Sequence, residues 1–151
     1  MKIAIVSDQV YPVHSFVIDW LKNQGHELVL FGALKTGQDE SWVAASQEAA
    51  QAIQSGQCQE GIFFCWTGTG ISITANKIPG IRAALCTDAE TTRGARVWNH
   101  ANVLCLSNRL LSQDVAQEIL TAWFSNYDTE KGADGVAELK ALEKSLNRNP
   151  S

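Results

Sequence analysis

Six consecutive residues, Cys65-Trp66-Thr67-Gly68-Thr69-Gly70, put a thiol beside the backbone of a possible anion site. They close a nearly all-apolar run, Gly61 to Cys65, and open a segment with helical spacing. Gly68 and Gly70 permit a tight turn that exposes backbone N–H groups. The start of the following helix adds partial positive charge. Such a nest suits an oxyanion: a phosphate, a carboxylate or an enediolate. Cys65 stands at the edge of this electropositive loop, a setting that favours a thiolate. A buried strand-end cysteine beside a tight glycine turn fits the same residues, so the pattern alone leaves both readings open. The spacing is not the dinucleotide fingerprint GxGxxG, because the sixth position from Gly68 is Ile73, and no Walker loop is present.

The elements that must position this loop follow from hydrophobic periodicity. Lys2 to Val6 is a short apolar run stopping at Ser7-Asp8-Gln9. Tyr11 to Asn23 carries Val13, Phe16, Val17, Trp20 and Leu21 at helical spacing, with Gly25 as its C-terminal stop. Glu27 to Phe31 reads as a second strand, Gly37 to Glu40 as a loop, and Trp42 to Ile53 as a helix stopped by Ser55-Gly56. Gly61 to Cys65 has the composition of a central parallel strand covered on both faces. A helix to about Lys77 follows, then a strand at Ile81 to Leu85 and a helix at Asp88 to Val97 with Asp88 as N-cap. Val103 to Leu106 is a fifth strand, Ser112 to Ser125 a helix capped by Ser112, and Gly135 to Leu146 a tail helix. Five strands alternating with helices predict an α/β, Rossmann-like three-layer domain: a five-stranded parallel sheet with helices on both faces. Ligands of such sheets sit beyond the carboxyl ends of the strands. The residues to inspect are therefore Ser7 to Gln9, Cys65 to Gly70, Cys86 to Asp88 and Ser107 to Arg109.

Composition narrows the function. The 151 residues suit one domain spanning the chain, and 45 % apolar content can bury a core. A net charge of −4 argues against a nucleic-acid or anionic-membrane partner. No apolar stretch is long enough to cross a membrane, and MKIAIVSDQ does not read as a signal peptide. Cys58, Cys65, Cys86 and Cys105 lack CxxC spacing, which predicts reduced thiols in a cytoplasmic protein and no metal site.

The run GIFFCWTGTGISITANKIPGIRAALCTD resembles the signature of the ribose-5-phosphate isomerase type B and galactose-6-phosphate isomerase family. The matching residues are Cys65, Thr67, Gly68, Gly70, Ser72, Ile73, Ala75, Asn76, Lys77, Gly80, Ile81, Arg82, Ala83 and Ala84. MKIAIVSD resembles the family's opening strand, and Asn99, Ala101 to Leu104 and Arg109 match further on. The resemblance reaches about Tyr127, beyond which the tail varies. It implies an aldose–ketose isomerase that moves a proton between C1 and C2 through a cis-enediolate. Cys65 would be the base, and Thr67 would assist at the reacting oxygens. Backbone N–H groups at Gly68 and Gly70, with Asn99, would stabilise the enediolate, Thr69 would contact the substrate, and Asp8 would hold a sugar hydroxyl. It further implies a homodimer or tetramer with the site at the subunit interface, a small sugar or sugar phosphate as ligand, and no metal or organic cofactor.

Departures from that pattern sharpen the expectation. Gln9 stands where the family has histidine after the first aspartate, Trp98 replaces the ring-opening histidine before Asn99, and Trp66 replaces a glycine. Two tail arginines that grip phosphate become Lys131 and Gly135. Lysine binds phosphate as a point charge where arginine binds it bidentately. An open-chain substrate needs no ring-opening acid, and a tetrose phosphate cannot close a furanose or pyranose ring. The expected substrate is therefore a short or predominantly open-chain sugar phosphate. An unphosphorylated sugar stacking on Trp66 or Trp98 is a second possibility. A noncatalytic subunit or a metabolite-binding protein on the same scaffold remain alternatives, although Cys65 and Thr67 would serve no chemistry there. Arg109, at the end of the fifth strand, is the better phosphate ligand; Arg93 and Arg96 are lesser ones. His100 is a relocated acid–base or a loop histidine held by hydrogen bonds. His14 and His26 are expected in surface or capping roles, Cys58, Cys86 and Cys105 in packing, and Trp42 at the site or anchoring its helix.

Overall fold

The computed structural model describes residues 1–148. In chain order the elements are β1 (Lys2–Ser7), α1 (Pro12–Asn23), β2 (Glu27–Gly32), α2 (Ala33–Thr36), α3 (Trp42–Gln54), β3 (Glu60–Cys65), α4 (Thr69–Ala75), β4 (Ala83–Leu85), α5 (Ala89–Asn99), β5 (Val103–Ser107), α6 (Gln113–Phe124) and α7 (Ala133–Arg148). The strands form one sheet in the order β2-β1-β3-β5-β4, and every pairing is parallel. This is the Rossmann-like three-layer architecture the alternation predicts. Among the described residues no helix is long and apolar enough to cross a membrane.

Alternation along the strands builds two cores. Ile3, Ile5, Ile62, Phe64, Leu104 and Leu106 point to the face covered by α1 and α6, where Val17, Leu21, Ile119 and Trp123 meet them. Ala4, Val6, Phe63, Cys65, Val103 and Cys105 point to the other face, under Ala45, Ala49 and Ile71 of α3 and α4. Each fully buried Leu, Ile or Phe contributes about 1.5–3 kcal/mol, so both faces are strongly held. Side chains mark the helix starts: Ser41, Asp88 and Ser112 accept the N–H of Ala44, Thr91 and Val115. After α1, Gly25 turns left-handed (φ 86°), and the N–H of His26 reaches the carbonyl of Leu21 while that of Gly25 reaches Lys22.

Three elements differ from expectation. The fourth strand begins at Ala83, not Ile81, because Ile81 closes a turn onto Ile78 and the N–H of Arg82 donates to the side chain of Asn102. The single-turn α2 carries no apolar periodicity to betray it. The tail helix starts two residues early, at Ala133, where Val136 packs into the body.

The chain leaves β1 toward β2 on one side and β3 toward β5 and β4 on the other, so the direction of winding reverses between β1 and β3. The crevice at their carboxyl ends is the position such sheets use for ligands.

Candidate active site

Asp8, Gln9, Trp66, Thr67, Gly68 and Arg109 stand on loops at the carboxyl ends of β1, β3 and β5, where Cys65 closes β3 and Thr69 and Gly70 open α4. The loops are tied together by backbone. The carbonyl of Cys65 accepts the N–H of Asn108 at 2.9 Å. The carbonyl of Trp66 accepts the Ser107 hydroxyl at 2.9 Å and the Arg109 N–H at 3.2 Å.

Cys65 is the last residue of β3 and 5 % exposed, whereas Cys105, in the middle of β5, is fully covered. Burial pushes the thiols of Cys58, Cys86 and Cys105 up, Cys105 furthest. These three pack in the core, as their apolar neighbourhoods predict.

The loop after Cys65 needs its glycines. Gly68 adopts φ 77°, and a Cβ there would lie 2.5 Å from Leu85 Cδ1 and 3.0 Å from the Leu106 carbonyl carbon. A Cβ on Gly70 would lie 3.0 Å from the Trp42 indole, which rests on the first turn of α4. Trp42 thus anchors the start of α3 against the loop. The N-cap of α4 is Gly68, which has no side chain to cap it; the Thr69 N–H meets Thr67 Oγ1 at 3.4 Å, and the other leading amides are open to an anion. The hydroxyls of Thr67 and Thr69 are 2.6 Å apart.

Across the crevice, Oδ1 of Asp8 is buried with no hydrogen-bond partner among the described residues. Burial raises the Asp8 carboxyl above its ordinary value; amides of Asp8 and Gln9 oppose this, and the charge of Asp39 adds to it. Gln9 is fixed at both ends of its amide: Oε1 accepts the Tyr11 hydroxyl at 3.1 Å, and Nε2 donates to Asp39 at 3.2 Å.

Trp98, Asn99, His100 and Lys131 lie elsewhere. They cluster where α5 ends and α7 begins, at the amino ends of the strands. The carbonyl of His100 accepts Arg82 Nε, just ahead of β4, and Gly132 packs on the last carbonyls of α5. A six-residue strand separates the two groups, roughly 17 Å at about 3.3 Å per residue. One chain therefore does not bring Asn99 to Gly68 and Gly70. His100 caps α5 with φ 45°, and its buried Nε2 has no partner among the described residues.

The two lesser arginine candidates are otherwise engaged. Arg96 forms a shielded ion pair with Glu60 at 2.8 Å, donates to the Ala101 carbonyl and stacks on Trp123 and Tyr127. Arg93 pairs with Glu90 on the surface. Neither faces the crevice as a free phosphate ligand.

His14 is not on the surface: it is 2 % exposed. The Tyr11 N–H donates to its Nδ1 at 3.1 Å. Nε2 therefore carries the proton and donates to Asn108 Oδ1 at 2.7 Å. Asn108 Nδ2 donates to Ser7 Oγ at 3.3 Å, and Ser7 donates to the Gln9 carbonyl. This buried chain, which fixes the loops after β1 and β5 together, escaped the sequence reading; a histidine on the apolar face of α1 was its only signal. Its capping of Tyr11 does match one expected role. His26 keeps the expected surface position, beside the N-terminal amine and stacked on Phe124.

The model of the family described as Ribose/Galactose Isomerase matches residues 3–139. The chain is 35 % identical over 124 residues to the D-erythrulose-4-phosphate isomerase of Pectobacterium atrosepticum, covering 82 % of each. It is 32 % identical to the 4-deoxy-4-sulfo-D-erythrose isomerase of a Clostridium species, covering 98 % of this chain and 99 % of that one. Among solved structures, the ribose-5-phosphate isomerase B of Clostridium thermocellum is similar with a TM-score of 0.87 at 36 % identity, covering 97 % of this chain and 99 % of that one. A match that runs from the first strand into the last helix, on a shared fold, settles the matter: the chain belongs to the Ribose/Galactose Isomerase family and is an aldose–ketose isomerase.

Proposed function

We propose that the chain isomerises a short, open-chain sugar phosphate, with a tetrose phosphate favoured over a pentose phosphate, and that Cys65 carries the proton. The observation that carries this reading is the meeting of Cys65, the left-handed turn at Gly68 and the glycine-capped start of α4, with the orphan oxygen of Asp8 on the neighbouring loop.

The thiolate of Cys65 takes the proton from C2 of the aldose. The released electron pair forms the C1–C2 double bond, and the carbonyl oxygen becomes an enediolate. Amides of the Gly68–Gly70 turn bind that charge. The paired hydroxyls of Thr67 and Thr69 pass the proton from O2 to O1. The thiol then returns its proton to C1, leaving the carbonyl at C2; oxidation and reduction balance within the substrate. Asp8 accepts a substrate hydroxyl, which satisfies the oxygen left without a partner. Arg109 holds the terminal phosphate.

Chain length follows from the missing acid. Gln9 and Trp98 stand at the positions where the family resemblance implies histidines, so nothing at those positions opens a ring. Two relatives act, by name, on four-carbon compounds.

We further propose that two chains complete each site, the carboxyl rim of one meeting Trp98, Asn99, His100 and Lys131 of its partner. The roughly 17 Å between these groups within one chain supports this. So does the exposed apolar face of Leu139, Leu142 and Leu146 on α7, beside a groove of about 560 Å³ that reaches Asn99. The cytoplasm, which keeps thiols reduced, suits the chemistry.

Purified protein assayed with D-erythrose 4-phosphate and D-ribose 5-phosphate tests the reading. The expected result is a clear preference in kcat/KM for the four-carbon aldose. Equal turnover of both contradicts the open-chain reading, and turnover of neither contradicts the isomerase assignment for this substrate class.

A further inference from the structure

One large apolar ring at the crevice has no role in the fold. The Trp66 indole is 51 % exposed, and its residue stands between Cys65 and Thr67 in the chain. Its backbone is held by the Ser107 and Arg109 hydrogen bonds to its carbonyl. The ring tilts against Tyr11 at 5.8 Å between centroids, and the guanidinium of Arg109 lies over its face at 6.0 Å. Tyr11 in turn holds Gln9, and Gln9 reaches Asp39. Arg109, Trp66, Tyr11, Gln9 and Asp39 therefore form one continuous wall across the loops that follow β5, β3, β1 and α2.

A wall braced on both sides cannot swing away as a lone surface side chain would. An indole that is clamped yet half exposed offers its open surface to whatever enters the crevice. The family resemblance implies a glycine at this position, which would leave the same volume empty.

We infer that Trp66 is the specificity-determining residue for substrate chain length: its braced indole shortens the space between the thiol and Arg109 so that a four-carbon phosphate fits and a fifth carbon is excluded. This rests on the proposed isomerisation of a sugar phosphate at Cys65. The carbon that loses its proton must sit at the sulfur, and the terminal phosphate must reach a cation. Arg109, held on the indole face, is the cation this wall supplies, so the ring defines both the length of the gap and the position of its far end. The same apolar face packs against the C–H side of an extended chain, as aromatic rings do with amphipathic ligands. One carbon more or less in such a space changes discrimination by about 10–200-fold.

The test compares Trp66→Gly and Trp66→Ala with the parent, and with Trp66→Phe as the variant that keeps an aromatic face. Two readouts are taken. One is the ratio of kcat/KM for D-erythrose 4-phosphate to that for D-ribose 5-phosphate. The other is the ratio of calorimetric affinities for 4-phospho-D-erythronate and 5-phospho-D-ribonate, which needs no turnover. Circular dichroism establishes that each variant is folded, and the alanine variant substitutes if the glycine variant is not. The parent should favour the four-carbon compound in both ratios. The glycine and alanine variants should shift both toward the five-carbon compound by about tenfold or more, and the phenylalanine variant should stay near the parent. Ratios that do not move on removing the ring, or a parent that binds both acids equally, overturn the inference. A parent that binds the four-carbon acid selectively but isomerises neither sugar overturns the proposed activity and leaves the chain-length role standing.

Discussion

The two ends of the parallel sheet treat charge differently. At the carboxyl end an acid is left waiting: Asp8 Oδ1 has no partner among the described residues, and the N-cap of α4, Gly68, brings no capping side chain. At the amino end, charge is locked away: Glu60 accepts both Arg96 and the Trp123 indole N–H at 2.8 Å, and Arg96 is sandwiched against aromatic rings. The amino end has orphans of its own among the described residues, Arg96 Nε and His100 Nε2, but its charges are paired, whereas the carboxyl end leaves an acid oxygen unpartnered. The unpartnered oxygen suits a ligand and the paired charges a framework. The amino end still displays Trp98 and Asn99 on its surface, within the framework that Arg96 braces.

The sharpest way to break this comparison is to ask whether the two ends serve one site. A Cys65→Ala chain and a Trp98→Ala/Asn99→Ala chain should each be inactive alone. Refolded together in equal amounts, they should recover about a quarter of parent activity, since half of the two-fold pairs are mixed and one of their two sites is intact. No recovery means that the ends act independently.

Next in size is Arg96→Ala, which strands the Glu60 carboxylate under cover. Breaking a shielded pair of this kind costs about 3–5 kcal/mol, so the thermal midpoint should fall by about 10 °C. Calorimetry reads it; an unchanged midpoint contradicts the framework role of this end. At the opposite end, Gly68→Ala must place a methyl against Leu85 and Leu106 in a left-handed turn. It should cost about 1–3 kcal/mol and depress turnover more than binding of the ground-state phosphate; kinetics with denaturation on the same sample separate the two effects.

The smallest effect concerns pH. Burial lowers His14 below the ordinary 6.5. Between 6.5 and its lowered value the unfolded chain binds a proton that the folded chain does not, so stability falls as pH drops below about 6.5. His14→Gln should flatten that slope in urea titrations at successive pH values. Part of it should remain, because His26 is also lowered, by burial and by the nearby N-terminal amine. An unaltered slope contradicts the neutral, Nε2-protonated His14 at the head of the chain to Asn108 and Ser7.

What the sequence shows and what it hides divide along the same lines. The five strands and the Cys65–Gly70 loop are legible because their signals are local: apolar runs ending in glycine turns, with Asp88 and Ser112 at helix starts. Gly68 also announces itself, since only glycine tolerates its turn. The contacts that give the crevice its shape are not local. His14 meets Asn108 across 94 residues, and Trp123 meets Glu60 across 63. Arg96 reads as a free cation until the fold brings Glu60 beside it. The separation of Asn99 from Gly68 is hidden for the same reason, because a motif list does not state which end of a strand each residue occupies. The start of β4 is hidden because Ile81 is apolar for packing yet lies in a turn outside the strand.

The proton-carrying role of Cys65 is the claim on which the rest depends, and Cys65→Ala tests it most directly. Turnover of D-erythrose 4-phosphate should fall by about 10²–10⁴-fold, the usual contribution of a positioned base, while the affinity for 4-phospho-D-erythronate stays within a few-fold of the parent. A variant that keeps turnover within a few-fold of the parent would contradict the account, because the proton would then have another carrier.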